Sequence, residues 1–390
     1  MKRFIYLWVI PYVVFGLHAG KIACQSRDFV VEGNLRVLVL EGDPYERGLN
    51  HGRMLKKEIH GLVEKWKADI NKTYKMDADR FIAEFVRGTD FIPAIKKHTP
   101  DLLEEVRGIA DGAGIDFNTM YAFQLVDEMW VIGEEIARNR CTSFGVRKTG
   151  KNPTLNAQNL DIPLFYHGYQ TLLHIKEPGR KLESFVFTFP GFIGANGMNN
   201  RPVSVNVNAL MQLEHASDGL PVAFIVRGVL EKETYDDAVK FLHDIKHAAG
   251  QNYIIGDVEN MASFECSENK VTKFIPFEGA NFTYHTNHPL TNDNYSAELL
   301  DRIKAENKTP REYDPYCSRF KSLKENFRDN SVAFDVEKLK AIFGSRDWNI
   351  NRPSTFGCTI MVTSDNPELH ISAGRPDEEP FLVFTFTNIE

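Results

Sequence analysis

From Glu46 to Ala137 the apolar residues recur at helical spacing. In YERGLNHGRMLKKEIHGLVEKWKADINKTY they fall at Leu55, Ile59, Leu62, Trp66 and Ile70, steps that line one helix face. PDLLEEVRGIADGAG opens on Pro100 at a helix-entry position and closes on Gly112 and Gly114, as a helix stop does. DFNTMYAFQLVDEMWVIGEEIA is a third apolar-periodic run. No strong strand signal interrupts this region, so the part before Cys141 reads as helical.

After Cys141 the period changes. CTSFGVRK, PTLNAQNLD, QTLLHIKE, ESFVFTFPG and RPVSVNVNAL are short, β-rich and separated by Gly, Pro or polar clusters. Two helices follow, PVAFIVRGVLEK and TYDDAVKFLHDIKHAA. Strands return at NYIIGDV, MASFECS, KVTKFIPF and NFTYHTN, a helical stretch runs from about Ser296 to Phe343, and the chain closes on STFGCTIMVTSD, ELHISAGR and FLVFTFTN. Strands in runs and helices in runs predict an α+β fold rather than alternating βαβ units. No internal repeat or low-complexity segment is evident.

Composition narrows the class. The chain has 390 residues, 43% hydrophobic and 25% charged, with a net charge of −7. That lacks the basic footprint of a nucleic-acid partner. No 18-residue apolar run occurs beyond the N-terminus, so no internal transmembrane span is expected. Residues 1–23 read as an export signal: MKR is basic, Phe4 to Leu17 is apolar apart from Pro11, and HAGKIAC offers small residues for cleavage. Cleavage near Ala19 or Ala23 and a lipid anchor on Cys24 are both open, and either predicts a periplasmic, secreted or lipid-anchored protein. The five cysteines, Cys24, Cys141, Cys266, Cys317 and Cys358, show no metal-type spacing, and one pair has room to bridge. Sequons at Asn71, Asn281, Asn294 and Asn307 matter only in a eukaryotic host.

Cys141 stands at the seam between the two periods. A lone cysteine is most often a small buried hydrophobe. Its sequence context carries unusual polar residues: AQNLD ending in Asp161, SVNVNAL with Asn206 and Asn208, and YHTNHPL with Asn287 and His288. Strands are depleted in Asn, so amides there suggest hydrogen-bond donors of a site. A papain-like Cys–His pair has His167, His174, His285 and His288 to draw on, but no local signature. Ser143 lacks a nucleophile elbow. There is no HExxH, P-loop or GxGxxG, so no metal or other cofactor is implied. Glu46, Arg47 and His51 in GDPYERGLNHG read as helix-entry polar residues.

Taken together, GDPYERGLNHG, CTSF, AQNLD, VNVNAL, PVAFIVRGVL, QNYIIGD, HTNHPL and TFGCTIMV with ELHISAGRP resemble, in order and spacing, the penicillin acyltransferase-type family of N-terminal-nucleophile (Ntn) cysteine hydrolases. The likeness runs from about Gly42 to Phe384. It extends to the choloylglycine-type linear amide hydrolases, which start directly at the cysteine. The resemblance implies a four-layer αββα sandwich with an N-terminal helical prodomain. It divides the chain into an export signal (1–23), a helical prodomain or small subunit (24–140) and a catalytic domain or large subunit (141–390).

The resemblance also assigns roles. Cys141 becomes the nucleophile and new N-terminus after self-cleavage behind Arg140. Asp161 contacts the freed amine, and Asn287 supplies the oxyanion-hole amide. Asn206 or Asn208 is a second polar site residue, and Arg319 a site arginine. Arg140 departs from the small residue often found before the cysteine in such proteins. A free α-amine with a pKa of about 7.7–8.0 is partly neutral near pH 7 and serves as a base on the nucleophile's own residue. The leading expectation is an exported amidohydrolase cleaving a small-molecule N-acyl amide, with the cleaved prodomain as partner. Acyl transfer to an amine is the alternative. A non-catalytic binding protein and a structural protein with Cys141 in a disulfide are further ones. Phe165, Tyr166, Phe192 and Trp130 are candidate pocket aromatics.

Overall fold

The computed structural model describes residues 22–23, 29–132, 141–177 and 179–386, with backbone alone for 22–23 and 130–132. The export signal, Cys24, the Trp130 side chain and Arg140 lie outside what is described. Sixteen strands are present among the described residues: β1 (Ile22–Ala23), β2 (Phe29–Glu32), β3 (Leu35–Glu41), β4 (Thr142–Val146), β5 (Thr154–Asp161), β6 (Thr171–Glu177), β7 (Leu182–Thr188), β8 (Asn196–Asn199), β9 (Ser204–Ala209), β10 (Gln251–Gly256), β11 (Met261–Ser267), β12 (Lys270–Phe274), β13 (Phe282–His285), β14 (Thr355–Thr363), β15 (Glu368–Ser372) and β16 (Phe381–Thr385).

They form a seven-stranded sheet, β1-β16-β15-β14-β5-β4-β13, and a nine-stranded sheet, β12-β11-β10-β9-β8-β7-β6-β3-β2. Pairing is antiparallel except between β1 and β16 and between β3 and β6. Seven helices precede β4: α1 (Pro44–Met54), α2 (Lys56–Tyr74), α3 (Ala78–Gly88), α4 (Phe91–His98), α5 (Pro100–Ala113), α6 (Phe117–Phe123) and α7 (Val126–Ile132). The rest are α8 (Val222–Leu230), α9 (Tyr235–Asp244), α10 (Ala297–Ala305), α11 (Pro310–Tyr313), α12 (Ser318–Asn326) and α13 (Val336–Phe343).

The sheets stack face to face, with α8 and α9 outside the nine-stranded sheet and α12 and α13 outside the other, giving the αββα order of layers. Strand alternation explains the layering. Phe144 and Val146 of β4 and Leu155 and Ala157 of β5 turn outward to pack with Phe320, Leu323, Leu339 and Phe343. The residues between them turn inward, and many are polar. Asn156 Nδ2 donates to Ser204 Oγ (3.2 Å) and to the Ile254 carbonyl (3.1 Å). Asn206 Nδ2 donates to Asn156 Oδ1 (2.6 Å), and Asn196 Nδ2 to Gln158 Oε1 (2.6 Å). Buried amides hydrogen-bonded across the gap fix how one sheet sits on the other, which apolar contact alone would do with less specificity.

The N-terminal part is not purely helical. FVVEGNLRVLVLE forms the hairpin β2–β3, and β3 joins the nine-stranded sheet beside β6, burying Leu35, Val37, Leu38 and Leu40. The signal was present in the sequence: a β-branched run, a Gly33-Asn34 turn and a second apolar run. Segments 24–140 and 141–390 therefore share a sheet.

Helix α1 starts in a capping box, with Asp43 accepting from the Glu46 N–H and Glu46 reaching back to the Asp43 N–H. Glu46 is the helix-entry residue expected, but Arg47 and His51 are not. Both are buried, because α1 packs against α5 at backbone contact. A Cβ on Gly48 would lie 1.9 Å from the Glu105 carbonyl oxygen, and one on Gly108 would lie 2.2 Å from the Tyr45 oxygen. Gly52 and Gly112 face each other in the same way.

That approach encloses the Glu105 carboxylate. It receives Arg227 from α8 through two bonds (2.7 and 2.9 Å) and Arg47 at 3.3 Å. Burial raises the Glu105 pKa, but the two guanidiniums outweigh it and hold the carboxyl at about 2. His51, fully buried, is pushed down to about 4 by desolvation, and its Nε2 accepts the Gly191 N–H (3.0 Å).

The four described cysteines are free thiols, so neither the bridge that the cysteine count left open nor a bridged Cys141 is formed among the described residues. No described helix is long and apolar enough to cross a membrane.

Breaking a buried pair from one side costs about 3–5 kcal/mol, because the partner charges are left stranded. Glu105→Gln is expected to destabilise the chain by that order. Folding depresses the Glu105 pKa from its ordinary 4.5 to about 2. The stabilisation is therefore complete above pH 4.5 and lost as pH falls through 2. Urea unfolding of both proteins from pH 7 to pH 2 should show the gap closing on the acid side, and a gap independent of pH would refute the charge account.

Candidate active site

Strand register brings the candidate residues together. In the β4–β5 ladder Thr142 pairs with Asn159, and in the β4–β13 ladder Ser143 pairs with His285. Continued by one or two residues, these ladders set Cys141 between Leu160 and Asn287. Asp161 ends β5, where β14 carries a bulge between Thr355 and Gly357. Bulges redirect side chains at strand ends, and here Thr355 Oγ1 donates to Asp161 Oδ1 (2.6 Å).

Cys141, Asp161 and Asn287 line one enclosed cavity of about 40 Å³, room for a few waters at most. Tyr166 and Phe192 of the candidate aromatics line it too, as does Phe189, whereas Phe165 does not. The wall is mainly apolar, with Leu160, Val207 and Val222 contributing.

Arg319, in the first turn of α12, ties the site together. It is buried, and its Nη1 donates to the Cys141 carbonyl and to Thr142 Oγ1 (2.9 Å for the latter). Its Nη2 donates to Asn287 Oδ1 (3.1 Å). With its oxygen held there, Asn287 uses one Nδ2–H on the Ala209 carbonyl (2.9 Å). The second Nδ2–H remains for a group in the cavity. Asp161 Oδ2 is buried with no hydrogen-bond partner, an open acceptor on a residue that lines the same cavity as Cys141.

Electrostatics describe a resting thiol. Burial, reinforced by Asp161, pushes the Cys141 thiol up to about 12, because an anion would be poorly solvated there. Burial also raises Asp161 to about 6 against the opposing pull of Arg319 and Thr355.

Some site residues were not foreseen. Asp127 of α7 lines the same cavity, and burial raises its pKa. Its neighbour Glu128, also raised by burial, accepts the Val222 N–H at the start of α8 (2.8 Å). The cavity-wall loop is gripped by the N-terminal helices: Gln124 Oε1 accepts from the Ile193 N–H (3.0 Å) and its Nε2 donates to the Gly191 carbonyl (2.8 Å). The sequence signal was a glutamine inside an apolar helical run. Asn206 and Asn208 do not line the cavity; Asn206 bonds Asn156 between the sheets, and Asn208 Oδ1 accepts from Asn252 Nδ2 (3.2 Å).

A Cys–His pair does exist, at a cysteine the sequence did not single out. His288 Nδ1 meets Asp314 Oδ2 (2.9 Å), and its Nε2 accepts the N–H of Cys317 (3.1 Å).

Two stacked, mainly antiparallel sheets between helical layers, with a cysteine at the head of a strand, a strand-end aspartate and a fixed asparagine amide, define an enzyme of the Ntn-hydrolase and acyltransferase class. The family model "Acyl-coenzyme A:6-aminopenicillanic acid acyl-transferase" matches residues 148–363, and the chain belongs to that family. It is 27% identical over 361 residues to the acyl-coenzyme A:6-aminopenicillanic-acid-acyltransferase 40 kDa form of Emericella nidulans, covering 90% of this chain and 96% of that protein. Among solved structures, an N-acylethanolamine-hydrolyzing acid amidase ortholog from Caenorhabditis elegans matches with TM-score 0.40 and 16% identity, over 57% of this chain and 93% of that one. Penicillin V acylase from Agrobacterium tumefaciens matches with TM-score 0.35 and 15% identity, over 60% of this chain and 82% of that one.

Loss of an oxyanion-hole donor costs about 10²–10³ in kcat. Asn287→Ala is expected to lower turnover by that factor while its circular dichroism stays that of wild type. Near-full activity of a folded variant would remove Asn287 from the reaction.

Proposed function

We propose that this chain is an exported amidohydrolase that cuts itself between Arg140 and Cys141 and then cleaves linear N-acyl amides through a Cys141 thioester. The observation that carries the reading is the convergence of Cys141, Asp161 and Asn287 on one enclosed cavity, with an unpartnered Asp161 oxygen beside the cysteine.

In the first reaction the Cys141 sulfur attacks the Arg140 carbonyl, the peptide C–N bond breaks, and the nitrogen leaves protonated as the Cys141 α-amine. Water then hydrolyses the thioester. No free amine exists before this cut, so another group must accept the thiol proton. Asp161 and Asp127 are the carboxyls on the cavity wall, and burial brings both closer to neutrality, the range in which a carboxylate is an effective base.

After the cut the roles shift. The α-amine takes the thiol proton and returns it to the leaving amine, Asp161 Oδ2 accepts the ammonium, and the open Asn287 N–H holds the oxyanion. Arg319 keeps Asn287 aimed. The apolar wall suits an apolar acyl group, although a cavity of about 40 Å³ must widen to admit one, and release of the new N-terminus is the event that can widen it. The N-terminal helices stay bound as a small subunit through Glu105 and Arg227.

The family name and the Emericella nidulans relative favour a second reading, in which an amine rather than water receives the acyl group. Both run through one thioester and differ in the acceptor.

Intact-mass measurement should give two fragments for wild type and one whole chain for Cys141→Ala, and the wild-type fragments should co-elute on gel filtration. Cleavage of the variant would assign the cut to a contaminating protease. A panel of N-acyl amides, with and without an added amine, should release free acid in a Cys141-dependent manner. An N-acylated amine as the main product would select transfer, and no turnover by the cut protein would refute both readings.

A further inference from the structure

We propose that Asp314, His288 and Cys317 form a second activated-thiol site, in which Cys317 is a modification site for peroxides. This goes beyond the amidase reading and does not depend on the cut at Cys141.

The geometry is that of a cysteine beside an imidazole held by a carboxylate. Asp314 Oδ2 lies 2.9 Å from His288 Nδ1, which fixes the proton on Nδ1 and leaves Nε2 as the acceptor. Nε2 faces Cys317, taking its N–H at 3.1 Å. The Cys317 sulfur itself lies 3.6 Å from Thr286 Oγ1. Cys317 is the N-cap of α12, a helix of nine residues, so its sulfur sits at the end of the helix where an anion is favoured.

Other charged and titratable groups face this thiol. Arg319 is the second residue of α12. Arg311 bonds the Asp314 carbonyl (3.0 Å) and stacks on Tyr316 at 3.8 Å. Cys141 and Asp161 lie on the far side of Arg319. One cation, Arg319, and an imidazole thus act on the sulfur, with Asp314 held by His288 and by Gln212 Nε2 (2.5 Å). Burial alone would raise the thiol pKa, but His288, Arg319, the Phe320 N–H and Thr286 bring it to about 6, while His288 is raised by Asp314 and Cys317 despite its own burial. Unlike fully buried Cys266 and Cys358, Cys317 is only partly buried.

The chemistry balances with a peroxide as the one co-reactant. The thiol loses its proton to solvent, because the Nε2 lone pair already holds the Cys317 N–H. The thiolate attacks one peroxide oxygen, the S–O bond forms as the O–O bond breaks, sulfur loses two electrons and the peroxide gains them. The departing hydroxide takes a proton from solvent and leaves as water (with hydrogen peroxide), and Cys317 becomes a sulfenic acid. Position gives this a consequence. Cys317 and His288 are close neighbours in sequence of Arg319 and Asn287, which bond each other, and Arg319 also bonds the Cys141 carbonyl. An oxygen or a larger adduct on Cys317 therefore presses on the groups that aim Asn287.

The test uses the full chain carrying Cys141→Ala, so that neither self-cleavage nor an N-terminal cysteine contributes. Timed iodoacetamide pulses from pH 4.5 to 9, read by peptide mass spectrometry, give the alkylation rate at each thiol. Cys317 is expected to reach half its maximal rate near pH 6, as its thiol pKa of about 6 requires. Asp314→Asn and His288→Asn should each move that midpoint upward. One equivalent of hydrogen peroxide followed by dimedone should tag Cys317 before any other cysteine. A midpoint at the ordinary cysteine value of about 8.5, no labelling of the folded protein, or a dimedone tag elsewhere would overturn the proposal. The profile of the Cys141→Ala protein decides alone if either of those variants fails to fold.

Discussion

The structure depends on one buried carboxylate. Glu105 sits where α1 crosses α5 at backbone contact, and no water reaches it. An isolated carboxylate there would be untenable, so the site is viable only with Arg227 and Arg47 in place. Arg227 belongs to α8, on the far side of Cys141 in sequence, and it also donates to the Ile193 carbonyl (3.2 Å). One charge cluster thus bolts the N-terminal helices to the catalytic layers and to the loop walling the cavity. The glycines at 48, 52, 108 and 112 belong to the same constraint, because any side chain there would separate the helices and open the cluster to water.

From this follows a division of labour between the two halves of the chain. The body supplies Cys141, Asp161, Asn287 and Arg319 from strand ends and one helix. The N-terminal segment supplies the closure: His51 and Gln124 hold residues 191 and 193, Asp127 faces the cavity, and β3 extends the nine-stranded sheet. A peptide bond broken between the halves would leave these contacts intact. The buried Glu105–Arg227 pair and a shared sheet are stronger reasons for the pieces to stay together than the link between them.

The period change at Cys141, the strand and helix runs after it, and the α+β class were legible because binary patterning reports directly on which face is buried. Cys141, Asp161 and Asn287 stood out as unusual residues in β contexts, and the ladders on either side of β4 bring them together. Polarity alone could not sort the asparagines. Asn287 faces the cavity while Asn206 and Asn208 serve the packing of one sheet on the other, and both uses place an amide in a strand-like run. Arg47 and His51 looked like solvent-facing helix-entry residues because nothing local reveals that a second helix lies against them at glycine contact. The pairing of Cys317 with His288 was hidden for a related reason: the residues lie 29 apart, and only the placement of α12 against the end of β13 joins them. Residues whose role is set by their own strand or helix were readable; those set by a partner element were not.

The two cysteines near Arg319 show how placement decides thiol chemistry. Cys141 is pushed up to about 12 by burial and by Asp161, and its neighbouring cation spends its donors on the Cys141 carbonyl, Thr142 and Asn287. Cys317 has a histidine oriented by a carboxylate and a helix start, and falls to about 6. If thiolate content alone selected the catalytic nucleophile, Cys317 would be the choice, yet it does not line the cavity that Asp161 and Asn287 share. Cys141 lines that cavity. Under the proposed cut, a free α-amine on the same residue would supply the base and the open Asp161 oxygen would receive it. The arrangement is coherent for a thiol that stays inert until its own backbone is cut, and the gain in reactivity on cutting is then a consequence of where the new charge appears.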